Sequence, residues 1–128
     1  MAPRLFTVDE AKEAIKLIRP LIGEILRIRA DVLSRQPELW TAMQRAAGNG
    51  GSADLSRLAK DFDRLDKLVH RILDSGAEIK DLGEGLVDFR ASRRDQTVYL
   101  CWKYGEEDLA FWHDMEAGFS GRKPLAEF

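Results

Sequence analysis

The sequence predicts an α+β fold, an antiparallel long-helix hairpin packed on a small three- or four-stranded antiparallel β-sheet. Three observations carry this prediction. Two long stretches of the first 76 residues place apolar side chains at alternating steps of three and four, the signature of a helix with one apolar face. From Ile79 onward the period drops to two and β-branched and aromatic residues accumulate, as strands require. The strand-like runs are separated by the short polar links SRRD and GEED, of a length that suits hairpins.

The first helix has a clear start. Thr7 followed by Glu10 matches a capping box, in which each side chain accepts from the other residue's unpaired amide. Phe6 stands where a staple residue would, although its partner position, Ala11, is small. The seam then runs Val8, Ala11, Ile15, Ile18, Ile22 and Ile25, and Arg29 interrupts it before Val32. Pro20, with Gly23 close behind, predicts a bend near Arg19 within one continuous helix. The second long helix carries Leu55, Leu58, Phe62, Leu65, Val69 and Ile72, with Ser52 or Asp54 as its cap and Gly76 as its left-handed terminator. Between the two, Pro37 to Ala47 reads as a short helix and GNGGS as a flexible turn. Seams of similar length predict a hairpin, with a coiled coil to a partner chain as the alternative. Leu17, Leu21, Leu26 and Leu73 lie off the seam, so the C-terminal half is expected to cover that flank. His70, beside the seam, reads as a satisfied or solvent-facing histidine.

Three strands are expected at Leu86–Ala91, Gln96–Tyr104 and Leu109–His113, with a short edge at Ala77–Leu82 as the optional fourth. With GEED as a four-residue loop, Tyr104 pairs with Leu109, Trp102 with Phe111 and Leu100 with His113. With SRRD as a loop, Phe89 pairs with Val98 and Val87 with Leu100. Both pairings place Val87, Phe89, Val98, Leu100, Trp102, Tyr104, Leu109, Phe111 and His113 on the face toward the helices. Cys101 and Trp112 fall on the other face with Leu86, Asp88, Arg90, Tyr99 and Lys103. That face is too apolar for open solvent, so the C-terminal tail or a second subunit must cover it, and a symmetric homodimer is the expected cover.

The 128 residues and 14.5 kDa suit one domain, residues 1–76 forming the helical hairpin with a flexible linker near 48–52 and residues 77–128 the sheet and tail. A net charge of −2 provides no electrostatic footprint for nucleic acid or an anionic membrane. The single cysteine excludes an intramolecular disulfide and suits a reducing compartment. MAPRLFTVDE lacks the apolar core of a signal peptide, and no run approaches a membrane span, so a cytoplasmic location is expected.

The segments LFTVDEA, IKDLGEGLVDF, VYLCWKYGEEDLAFWH and GFSGRKPL resemble the prokaryotic domain-of-unknown-function family 2203. The resemblance covers nearly the whole chain apart from the linker around Trp40 to Ser52. The matching positions are Asp81, Gly85, Leu86, Asp88, Phe89, Cys101, Trp102, Gly105, Glu106, Trp112, His113, Gly118, Phe119, Gly121 and Arg122. It implies a small bacterial protein and brings no activity or residue role with it.

Candidate chemistry gathers near the C-terminus. His113 precedes Glu116 by three residues, a spacing that on a helix lets both bind one metal ion. Asp88 and Cys101 lie on the opposite face from His113 in the expected register, which argues against joining them to it. Cys101 is expected to be a buried, inert thiol rather than a nucleophile. Gly118-Phe119-Ser120-Gly121-Arg122-Lys123 has the composition of an anion-holding loop without the order of a P-loop, and its plainer reading is a turn with Arg122 paired to Asp88, Glu106 or Glu116. Arg90, Arg93 and Arg94 form a basic hairpin tip, read as a solvated turn rather than an RNA contact. The leading expectation is a self-associating interaction module with a protein partner and without catalysis. The alternative is a metal- or small anionic ligand-binding protein, with an enzyme as one form of it, whose site lies near His113, Glu116 and Arg122 and has Asp88 and Glu106 as further ligand-binding candidates.

Overall fold

A computed structural model describes residues 3–38, 41, 43, 44 and 53–128. Helix α1 spans Val8–Ser34 and runs unbroken through Pro20. The capping box is formed: Thr7 Oγ1 accepts from the Glu10 amide at 3.1 Å, and Glu10 Oε1 accepts from the Thr7 amide at 2.9 Å. Helix α2 spans Ala53–Asp74, and Gly76 follows with φ +99°, the left-handed conformation that ends a helix at little cost for glycine. Residues 36–38, 41, 43 and 44 are helical, in keeping with the expected short helix, while the expected linker at 48–52, the Ser52 cap and Ala47 lie outside the described residues.

The two helices lie antiparallel, because Glu24 meets Arg64 at 2.8 Å while Asp31, further along α1, meets Arg57 at 3.1 Å, earlier in α2. Ala11, Ile15, Ile18, Ile22 and Ile25 of α1 and Leu68 and Ile72 of α2 are buried against the sheet. The sheet therefore covers the seam itself. The off-seam flank stays open to solvent at Leu17, which is 72% exposed.

The sheet is a five-stranded antiparallel meander in the order β1 (Glu78–Asp81), β2 (Leu86–Arg93), β3 (Gln96–Lys103), β4 (Phe111–Asp114) and β5 (Lys123–Pro124). The fifth strand, beyond the three or four expected, is a two-residue ladder that the C-terminal segment adds beside β4, with Phe111 opposite Pro124. The β2–β3 hairpin closes tighter than SRRD suggested. Arg93 pairs with Gln96 across Arg94 and Asp95, both with positive φ, as a two-residue primed turn demands. Phe89 consequently faces Leu100 and Val87 faces Trp102. This is a shift of two residues from the expected pairing, and an even shift leaves every side chain on its expected face.

The β3–β4 pairing shifts by one residue, and an odd shift inverts the strand. Leu100 pairs with Trp112, Tyr99 with His113 and Cys101 with Phe111. The cause lies in the connection, which runs irregularly from Tyr104 to Ala110 instead of closing as a four-residue loop. Gly105 takes φ +102°, and the Glu106 carboxylate folds back to accept from the Lys103 amide at 2.6 Å. The Glu106 carbonyl accepts from Trp102 Nε1 at 3.1 Å, and Arg19 of α1 donates to the Glu107 carbonyl. Leu109 still reaches the core, but from the loop. The helix-facing core of the sheet is thus Val87, Phe89, Ala91, Val98, Leu100, Trp102, Leu109 and Trp112, while Phe111 and His113 turn to the opposite face and Tyr104 is partly exposed.

Trp102 is fully buried and meets Tyr104 edge-on at 6.2 Å. Trp102→Ala should remove about 3–5 kcal/mol of stability, read as a lower urea midpoint. An unchanged midpoint would place this ring outside the core.

Candidate functional site

The inverted β4 assembles a polar cluster on the face of the sheet away from the helices. Asp88 of β2 pairs directly with Cys101 of β3, and His113 of β4 stands opposite Tyr99, two residues from Cys101 along β3. Side chains two apart along a strand share a face, so the three project from one side of three adjacent strands. Their donor atoms, one from each residue, all lie within 4.8 Å of one another, and none of the three residues is more than 2% exposed. The burial is achieved within a single chain. Tyr99 packs its ring on His113 at 5.4 Å, and Arg122 of the C-terminal segment lies over Phe111 at 3.9 Å and over Phe119 at 4.6 Å.

The hydrogen bonds set the histidine tautomer. His113 Nδ1 lies 2.8 Å from the Asp114 carbonyl oxygen, which can only accept, so Nδ1 carries a proton. Nε2 then faces Asp88 Oδ2 at 3.0 Å. The Cys101 thiol also interacts with this carboxylate, yet Asp88 Oδ1 is buried without a well-formed hydrogen bond. Burial raises the Asp88 carboxyl above the usual carboxylate range, against the opposing pull of His113. Burial, followed by the neighbouring Asp88 charge, pushes the Cys101 thiol up to about 12. A thiol so held is a poor nucleophile.

The candidate residues therefore divide into three groups. Asp88 and His113 come together, with Cys101 added, which corrects the expected separation of His113 from the other two. Glu106 and Arg122 form a clamp of their own: Arg122 donates to both Glu106 carboxylate oxygens at 2.7 and 2.8 Å and to the Cys101 carbonyl at 3.3 Å. Arg122 is thereby engaged by Glu106, the pairing the plainer sequence reading allowed. Glu116 lies exposed in the turn at 115–117, and the helix that the His113–Glu116 spacing assumed is a strand end followed by that turn. Two of the three arginines of the basic hairpin are tied down, since Arg90 donates to Glu78 at 2.6 Å and Arg93 stacks on Trp112 at 4.3 Å, while Arg94 in the turn is exposed. One signal in the sequence pointed to the true face of β4. Given Trp112 beside His113, burying the indole under the helices and the imidazole among polar groups is the favoured assignment.

Comparison with known proteins bears on the whole chain. Residues 4–125 match the family described as "Uncharacterized conserved protein (DUF2203)". No curated protein and no solved structure matches it. Among the described residues, no helix is long and apolar enough to cross a membrane.

The enclosed thiol makes a kinetic and a pH prediction for chelator-treated protein. Moving its pKa from 9.0 to about 12 lowers the thiolate fraction at pH 8 by about 10³-fold. The greater nucleophilicity of a high-pKa thiolate offsets part of this loss, so folded protein should react with a disulfide reagent at least about tenfold more slowly than urea-unfolded protein, and equal rates would show an open thiol. The sign of the stability effect follows from the raised value. The contribution of Cys101 is intact below pH 9, where the unfolded thiol keeps its proton, and is lost as pH rises toward 12.

Proposed function

The chain belongs to the DUF2203 family, and we propose that it works as a small interaction module that self-associates through the outer half of its helix pair. The observation that supports this reading is the change in burial along one stripe. At the inner end of α2, Leu68 and Ile72 are completely buried, whereas Phe62, on the continuation of the stripe, is 57% exposed. The core cluster ends at Leu26, Ile28 and Leu65. Beyond these the helix pair carries Val32, Leu33, Leu58 and Phe62; Leu33 and Phe62 are exposed, Val32 and Leu58 are half-buried, and among the described residues none of the four belongs to the core cluster.

Ion pairs hold the outer half together without covering its apolar side chains. Arg35 pairs with Asp61, and Arg57 and Arg35 with Asp31. Two helices whose apolar stripe carries no sheet among the described residues are half of a four-helix bundle, and a two-fold axis completes it with a second copy of the same surface. The apolar content of the stripe provides the driving force, at about 1.5–3 kcal/mol for each large side chain fully removed from water.

Light scattering at tens of micromolar should give twice the 14.5 kDa chain mass. Phe62→Asp should return the chain to monomer mass while leaving its spectroscopic fold intact. A wild-type chain of monomer mass, or a Phe62→Asp variant that stays dimeric, would contradict this reading.

A further inference from the structure

We propose that Asp88, Cys101 and His113 are three ligands of one buried divalent metal ion of the zinc class. This inference is independent of how the helix pair associates. The three side chains supply carboxylate oxygen, thiolate sulfur and imidazole nitrogen from three adjacent strands, with their donor atoms within 4.8 Å of one another. Ligands held about 2.0–2.3 Å from a tetrahedral zinc ion are separated from one another by roughly 3–4 Å; the His113 Nε2–Asp88 Oδ2 distance of 3.0 Å has that span, and the whole cluster lies within 4.8 Å.

Two details of the cluster are those of a metal site. The His113 Nδ1 proton is committed to the Asp114 carbonyl at 2.8 Å, which leaves the Nε2 lone pair directed at the cluster. Ligating histidines are ordinarily fixed in this way, by a backbone carbonyl or carboxylate on the far nitrogen. Asp88 Oδ1 is buried without a well-formed hydrogen bond, although the residue is only 1% exposed. With only the weak thiol donor of Cys101 besides His113 on this carboxylate, an oxygen at such depth is poorly satisfied, and a cation satisfies it.

Charge and softness select the ion. One carboxylate and one thiolate neutralise a divalent cation while a neutral imidazole completes the set, so the loaded centre carries no net charge into the interior. Thiolate with imidazole favours zinc, cobalt and their neighbours over magnesium or calcium, which take oxygen ligands. Three protein ligands leave one of zinc's four positions to a solvent molecule. At this depth the ion acts as a clamp across β2, β3 and β4. The competing account of the same geometry is a proton shared between Asp88 and His113 with no metal.

Chelator-treated full-length protein titrated with Co²⁺ separates the two. One equivalent should produce a near-ultraviolet thiolate-to-cobalt charge-transfer band together with intense visible d–d bands of tetrahedral coordination, and one equivalent of Zn²⁺ should abolish both and raise the melting temperature. Cys101→Ser should lose the charge-transfer band. Asp88→Asn should fold, since its amide can donate to Nε2, yet bind at least tenfold more weakly. Glu116→Gln should bind as wild type. The proposal is overturned by absence of the charge-transfer band in natively folded protein, by its persistence in Cys101→Ser, or by its loss in Glu116→Gln, which would move the ion to the His113–Glu116 turn.

Discussion

Burial of Trp112 on the helix side of the sheet decides what the other side contains. A strand presents alternate residues to opposite faces, so a buried Trp112 sends His113 the other way. Trp112 is 4% exposed and belongs to the core cluster, even though its indole Nε1 has no hydrogen-bond partner. The magnitudes explain why that is tolerated. An aromatic ring burying 150–250 Å² contributes about 4–6 kcal/mol at the usual area coefficient. An unsatisfied polar group costs about 1–3 kcal/mol. The apolar term wins, and His113 is delivered to Asp88 and Cys101 as a consequence.

The far face is then closed from the C-terminus. Arg122 joins Glu106, whose backbone carbonyl receives Trp102 Nε1 and whose carboxylate also accepts from the Lys103 amide. One acidic residue in the β3–β4 connection thus touches the core tryptophan, the strand end and the tail. The same connection is held from the helix layer by Arg19. Helices, loop and tail therefore converge on the segment that sets the position of β4.

Much of this was legible in the sequence, and the residues show where legibility stops. The Thr7–Glu10 capping box, the isoleucine seam of α1 and the Gly76 terminator are local patterns, and local physics settles them. The face of β2 and β3 was also readable despite a wrong loop length, because shortening SRRD to a two-residue turn moved the pairing by an even number. β4 was not readable from loop length, because its connection depends on contacts between residues far apart in sequence, Arg19 with Glu107 and Arg122 with Glu106. The candidate residues were found one by one in the sequence, and Asp88, Cys101 and His113 were separated by that single odd shift. Weighing indole burial against imidazole burial at positions 112 and 113 would have reunited them.

The position of His113 is the claim on which the rest stands. Solution NMR of the ¹⁵N-labelled protein reads it directly, through the tautomer of the His113 ring and the nuclear Overhauser contacts of its protons. The account predicts a protonated Nδ1 and contacts from the ring to Tyr99 and to the Cys101 β-protons. Contacts from that ring to Phe89 and Leu100, with Trp112 beside Cys101, would contradict it.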